Sequence, residues 1–296
     1  AVLESKDFEI VHVFNNKALQ NTLPLVRHSA IKLIAYRGIE GNVSVFDPIS
    51  WMTYLNPRVD KIICVANAIR DYFHKLRFLW WQFPQDKAIT IYKGHDLSWY
   101  QKPEIPRSTW DIPEQAFLVG CIANERPRKG LSFLIDALPG IANSGLNIHL
   151  LLIGNINGKT TLEKIKQSSI SESIHLTGYR PDAARILAAC DACILPAIKR
   201  EGLPKAIIEG MVHQVTPIVT NTGGSPELIE AGISGLIIEA GSASAISDAI
   251  SQLARDPEKN HKMGIAAQTR IQRDFNTVAT VEQTLALYRE LLADRK

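Results

Sequence analysis

The chain of 296 residues is 46% hydrophobic and 21% charged, a globular balance that excludes an intrinsically disordered protein. Lys and Arg number 33 against 30 for Asp and Glu, and a net charge of +3 is too small to argue for a nucleic-acid-binding face. No apolar run approaches the roughly 20 residues that cross a bilayer and no secretory leader is visible, so the expectation is a soluble, cytoplasmic protein.

In chain order, short apolar runs occur at 9–14, 31–36, 61–66 and 88–92, then at 117–123, 148–154, 173–178, 192–197, 216–221 and 235–240. Each is nearly continuous in apolar residues rather than alternating, as expected of strands buried on both faces. Helical periodicity marks 66–76, 131–142, 181–190, 204–213 and 243–255. Strands alternating with helices predict an α/β fold with parallel sheets. Between the first four runs and the last six lies QKPEIPRSTWDIPE (101–114), which has the composition of a linker.

The expected divisions are therefore 1–105, 106–275 and a terminal helix within 276–296. That helix carries an apolar stripe at Val278, Val281, Leu285, Tyr288 and Leu292 behind an Asn276 cap, and is expected to pack back towards the first domain. The first domain has four candidate strands and no Gly-rich loop after the first of them, and the chain opens on Ala rather than Met. Either the Met has been removed or amino-terminal strands are missing; the expectation is the second.

The cysteines divide simply. Cys64 and Cys121 sit in apolar runs and read as core. Cys190 and Cys193 form a C-x-x-C, but no second Cys/His pair at metal-ligand spacing accompanies them, so a structural role is expected and zinc is not. RFLWWQF (77–83) has two readings. One is an edge helix packed into the core, or a surface exposed by missing strands. The other is an interfacial patch in which Arg77, Trp80 and Trp81 meet a membrane-bound lipid acceptor.

The most informative stretch is PAIKREGLPKAIIEGMVHQVTPIVTNTGGSPE (196–227). Glu201 ends the loop after a strand, Pro204 suits a first helical turn, and Glu209 lies inside the helix. A strand, the Gly223-Gly224 turn and a helix opened by Ser225-Pro226 follow. Helix amino termini beside the carboxyl ends of parallel strands bind anions, paired glycines let the backbone approach closely, and a carboxylate can accept bonds from a ribose diol.

This segment resembles the retaining glycosyltransferase family 4, whose signature is Glu, seven residues, Glu, then a strand and Gly-Gly. The similarity continues through DKIICVANAIRDYF (60–73), ITIYKGHD (89–96), RKGLSFLIDAL (128–138), LLLIG (150–154), IHLTGY (174–179), GISGLIIEAGSASAISDAI (232–250) and RDFN (273–276). The resemblance implies the GT-B architecture: two Rossmann-like domains with parallel sheets facing a cleft, the amino-terminal one here incomplete. It implies transfer of a sugar from a UDP- or GDP-sugar to an acceptor hydroxyl with retention by front-face displacement, in polysaccharide or glycolipid assembly, with no metal and no other cofactor. The partners implied are the nucleotide-sugar donor, a sugar or lipid-linked acceptor and a peripheral contact with the inner face of a membrane, but no nucleic acid.

Site residues follow from the same resemblance. Lys129 matches the family's lysine at the donor diphosphate, and Glu201 would contact the donor sugar, these two being the catalytic pair. Glu209 would hold the ribose, and the backbone of Gly223 and Gly224 would meet sugar or diphosphate. The family places an arginine five residues before its lysine; Asn124 stands there, with Arg126 as the substitute and Arg128 as the solvated neighbour. Thr177, Gly178, Tyr179 and Arg180 follow a strand where the base is expected. In the first domain the family's histidine aligns with Phe14, while His12 is either a candidate or a core histidine. Two alternatives stay open: a sugar-nucleotide epimerase on the same fold, and a non-catalytic nucleotide-sugar-binding partner subunit.

Overall fold

The computed structural model describes residues 8–100 and 104–293. The chain divides into two compact units, residues 1–94 with 275–296, and residues 95–274. The division thus falls ahead of the Pro-rich stretch, whose residues 101–103 lie outside the described residues. Each of the ten apolar runs holds a strand.

The first unit contains β1 (Ile10–Val13), α1 (Asn16–Val26), β2 (Lys32–Arg37), α2 (Pro48–Trp51), β3 (Lys61–Cys64), α3 (Asn67–His74), β4 (Arg77–Phe78), β5 (Trp81–Gln82) and β6 (Ala88–Thr90). Its sheet is parallel in the order β1-β2-β3-β6. Successive crossovers all step in one direction, and right-handed crossovers of that kind place their helices on one face. Leu19, Leu23, Ile69 and Phe73 are buried on those helices.

The terminal helix, Thr277–Ala293, packs Leu287 and Leu291 in one cluster with the sheet residues Ile34 and Ile63 and with Ile91 just after β6. Asn276 caps it by accepting from the Ala279 amide at 2.8 Å. The Thr280 hydroxyl donates to the Tyr92 carbonyl at 2.7 Å and accepts from the Gly94 amide at 2.8 Å, which fixes the helix to the chain after β6. The stripe read from the sequence is corrected here: Val278, Val281 and Leu285 are exposed, and Leu287 and Leu291 carry the burial.

RFLWWQF is corrected as well. It is the antiparallel hairpin β4-β5, with Phe78 paired to Trp81 and Leu79-Trp80 at its tip, and not a helix.

The second unit contains β7 (Phe117–Ile122), α4 (Leu131–Asp136), α5 (Leu138–Asn143), β8 (Ile148–Ile153), α6 (Lys159–Gln167), β9 (Ile174–Gly178), α7 (Ala183–Leu187), β10 (Ala192–Leu195), α8 (Lys205–Val212), β11 (Thr216–Thr220), β12 (Leu236–Ile238), α9 (Ala243–Arg255) and α10 (Pro257–Asp274). All neighbouring strands are parallel, in the order β12-β11-β10-β7-β8-β9. The chain winds from β7 through β8 to β9, returns to β10 on the other side of β7, and continues outward. That reversal makes β7/β10 the topological switch point, where open α/β sheets bind ligands at the strands' carboxyl ends.

One core cluster joins the centre of this sheet to α4, α5 and α9, including Val119, Leu150, Ile194, Leu134, Ile141 and Ile250. The single helix expected over 131–142 is broken at Ala137 because Pro139 has no amide hydrogen to continue the ladder. Ser225-Pro226 opens one 3₁₀ turn (Ser225–Leu228) rather than a helix, since Ile229 is already extended. The four cysteines are free and buried. Burial pushes the Cys64 and Cys121 thiols up to about 12, and those of Cys190 and Cys193 also upward, so all four are poor thiolates.

Candidate functional site

The loop after β7 reaches the switch point in two steps. A 3₁₀ turn, Pro127–Lys129, follows Arg126, and Gly130 then takes φ +68° before α4 begins. A side chain at Gly130 would run into the Pro196 carbonyl after β10, so the two loops touch where only glycine fits. The Ile198 amide donates to the Arg128 carbonyl at 2.9 Å, which locks the loops together.

Glu201 is the centre of this junction and is 5% exposed. One of its carboxylate oxygens, Oε1, lies 2.9 Å from Lys129 Nζ and accepts from the Arg128 guanidinium at 2.9 Å. A carboxylate this deeply buried needs such partners, because desolvation would otherwise cost several kcal/mol, on the order of a buried ion's penalty. The Gly223-Gly224 turn wraps its backbone: Gly224 donates to the Glu201 carbonyl at 3.2 Å. Gly223 sits at φ +54° against that same carbonyl, where a Cβ would collide. Arg200, just before Glu201, also has a positive φ of 61°, an uncommon conformation for a residue with a Cβ.

Of the loop's two arginines, one differs from its expected surroundings. Arg128, expected to be solvated, is the guanidinium on Glu201, while Arg126 is exposed and enters no ion pair among the described residues. The reason is local. The 3₁₀ turn at 127–129 carries residues 128 and 129 onto β10's side of the loop, whereas Arg126 precedes it. Asn124 is exposed too, and its carbonyl accepts from the Arg126 amide at 2.7 Å.

Glu209 lies on α8, buried, with its carboxylate 2.8 Å from Lys205 Nζ one helical turn earlier. Its charge adds to the burial that raises the Tyr100 phenol. Thr177 and Gly178 end β9, the edge strand beyond β8, and Tyr179 and Arg180 follow it. Gly178 is at φ +69°, Tyr179 is exposed, and Arg180 is forked onto Asp182 with two bonds of 2.8 Å, which hold that carboxyl at about 2. The structure therefore joins Arg128, Lys129, Glu201, Gly223 and Gly224 by direct contacts, and sets Glu209 and residues 177–180 on neighbouring elements.

His12 and Phe14 belong to the other unit, on the β1 face towards the terminal helix. The His12 Nδ1 lies 2.8 Å from the Tyr288 hydroxyl, and its ring stacks on Phe14 at 4.3 Å. Burial lowers the His12 pKa, and Phe14 is 63% exposed.

Two further residues matter here, Glu125, which the sequence did not single out, and Ser225, which it offered only as a helix start. Glu125 accepts from the amides of Asn157, at 2.8 Å, and Gly158, tying the loop after β7 to the start of α6. A carboxylate at a helix amino terminus is favourably placed, but its partner lies 32 residues away and leaves no local signal. Ser225 is fully buried beside the glycine turn, and its hydroxyl has no partner among the described residues. It reads in sequence as a helix cap, which hides this.

The family model for glycosyl transferases group 1 matches residues 103–270. Among curated proteins, the chain is 26% identical over 240 residues to N-acetyl-alpha-D-glucosaminyl L-malate synthase of Bacillus anthracis. That match covers 80% of this chain and 61% of the relative, so the chain spans less than two thirds of its length. Among solved structures, a glycosyltransferase from Rickettsia africae superposes with a TM-score of 0.84 at 19% identity, covering 98% of this chain and 79% of that one. Anabaena HepE in complex with UDP superposes with a TM-score of 0.78 at 20% identity, covering 95% and 79%. The fold is of the GT-B class, and the chain belongs to the group 1 glycosyl transferases.

Proposed function

We propose that the second unit binds a nucleotide-diphosphate sugar and that the protein transfers the sugar to an acceptor hydroxyl with retention, in polysaccharide or glycolipid assembly. The observation that carries this reading is the buried Glu201 held by Lys129 and Arg128 at the β7/β10 switch point. A diphosphate entering there would compete with Glu201 for both cations. Glu201 would then be free to accept hydroxyl hydrogens from the donor sugar, and the cations would neutralise charge on the leaving group. The bond between the anomeric carbon and the diphosphate oxygen breaks as the acceptor oxygen arrives on the same face, and the acceptor's proton passes to the leaving oxygen.

Lys129, Arg128 and the Gly223-Gly224 backbone supply the positive potential in this scheme, so it requires no metal or other cofactor. Glu209 would hold the ribose, and the backbone of 177–179 would meet the base, with either UDP or GDP accommodated. The name of one structural neighbour, HepE in complex with UDP, supports a nucleotide ligand in this fold.

Calorimetric titration of UDP, GDP and ADP into this chain, with Glu209→Ala and Lys129→Ala in parallel, tests the reading. Selective binding weakened in both variants supports it. Absence of binding by all three nucleotides rejects a donor site in this unit. A second reading, a nucleotide-sugar-binding subunit without turnover, is favoured by Phe14 standing where the resemblance expects histidine. Transfer of sugar by a purified preparation would reject that alternative, and survival of that transfer in chelator would support the metal-free scheme.

A further inference from the structure

The first unit carries a surface that the transfer reading does not use. The hairpin tip exposes Leu79 and Trp80, which are 73% and 91% accessible, and Phe78 beside them is exposed too. Leu79 occupies the first loop position with φ +52°, where two-residue hairpins ordinarily carry glycine or asparagine. A large apolar residue is thus held in an unfavourable conformation at a solvent-facing tip.

The hairpin is not a loose flap. Trp81 packs on Trp51 of α2 at 4.7 Å between centroids, and Phe78 meets Phe46 edge-on at 5.4 Å. The second contact is between exposed rings, since Phe46 is exposed as well, and Ile49 and Met52 of the adjoining α2 segment, which line a groove beside α1, are also exposed. Six large apolar side chains on two braced elements exceed the scatter of single exposed residues normal on a globular surface.

Charge identifies what this surface fits. Arg27, Lys75 and Arg77 around it are exposed and enter no ion pair among the described residues. Arg27 shares a groove with Ile49 and Met52. The neighbouring acids are already engaged: Asp71 with Arg70, Asp86 with Lys61, Asp60 with Arg58, and Asp47 in capping α2. Aromatic and aliphatic side chains at a tip, flanked by unspent cations, match the interfacial zone of an anionic bilayer. There Trp sits at headgroup level, and lysine and arginine meet lipid phosphates.

We infer that the β4-β5 hairpin and the adjoining α2 segment form a docking surface for an anionic membrane, with Leu79 and Trp80 inserted and Arg77 and Lys75 on the headgroups. This inference stands on the first unit alone and does not depend on the donor reading, so a failure of one leaves the other untouched.

The test is co-sedimentation of the full chain with phosphatidylcholine vesicles, with and without roughly a quarter phosphatidylglycerol, for the parent protein and for Trp80→Ser, Leu79→Gly and Arg77→Glu. Binding to the anionic vesicles is expected to fall about tenfold in Trp80→Ser and Leu79→Gly, and to fall with added salt and in Arg77→Glu. Brominated lipid should quench a part of the tryptophan emission that Trp80→Phe removes. These side chains are exposed, so unchanged circular dichroism and melting temperature are expected alongside. Absence of vesicle binding would overturn the inference, as would equal binding by all variants. So would concentration-dependent self-association without vesicles that Trp80→Ser abolishes, since a second copy would then be the occupant.

Discussion

Arg128 and Glu201, 73 residues apart in the chain, meet at 2.9 Å. Their contact closes the loop after β7 onto the loop after β10, and Lys129 shares the same carboxylate oxygen. On the proposed donor reading, a diphosphate entering the crevice would compete with Glu201 for these cations. Glu201→Gln should therefore tighten binding of UDP or GDP alone by several-fold while transfer by an active preparation collapses. Lys129→Ala should weaken nucleotide binding by about tenfold, the loss expected for one charge-assisted bond. Titration calorimetry at two salt concentrations checks both, and weaker nucleotide binding in Glu201→Gln would contradict the competition.

Gly223→Ala separates backbone shape from charge. Residue 223 is at φ +54° with the Glu201 carbonyl against it, so a methyl group must displace the turn. The cost should be about 1–3 kcal/mol of stability. Nucleotide affinity should fall as well, because the turn positions Glu201 through the Gly224 amide. Urea unfolding and calorimetry on one preparation measure the two losses together.

Glu125→Ala should lower stability by about 1 kcal/mol, the scale of a lost helix cap, because two amides at the start of α6 lose their acceptor. Glu125→Gln should recover part of it. Hydrogen exchange at Asn157 and Gly158 would rise in the alanine variant; unchanged protection there would show that the bond adds nothing to the loop.

A pH dependence follows from His149 and His175. Their rings stack at 5.2 Å on adjacent strands, with Nδ1 and Nε2 2.9 Å apart. Burial holds both below the ordinary 6.5, and at His175 the other imidazole adds to the effect while Asp111 opposes it. The folded state thus binds fewer protons than the unfolded one just below pH 6.5. Stability is complete above that pH and is lost as the pH falls towards the folded-state values. His175→Gln should flatten the slope of urea midpoints between about pH 5 and 7. Paired carboxylates such as Asp182, held at about 2, act only at much lower pH and do not obscure this window.

All ten main strands were legible in the sequence because strands buried on both faces need continuous apolar runs, and these runs survive without any knowledge of neighbours. The neighbourhood of Glu201 and the Gly223-Gly224 turn was suggested as well, but only through the resemblance, since a separation of over twenty residues carries no geometry by itself. α1, α6 and α10 were not picked out, and the β4-β5 hairpin was not recognised as one, its segment being read as an edge helix, an exposed surface or an interfacial patch. In the hairpin Leu79 stands where glycine or asparagine would have announced the turn.

What the sequence alone determined was the kind of fold, the order of its ten main strands, and the segment that carries the candidate site. Tertiary structure decided which side chains meet there. The choice of Arg128 over Arg126 depends on a single 3₁₀ turn, and the choice of Leu287 and Leu291 over Val278, Val281 and Leu285 depends on how the terminal helix rolls on the sheet. Periodicity states that a helix has an apolar face, and composition states that a loop has cations. Which of them is buried is set by neighbours distant in sequence, and that information exists only once the chain has folded.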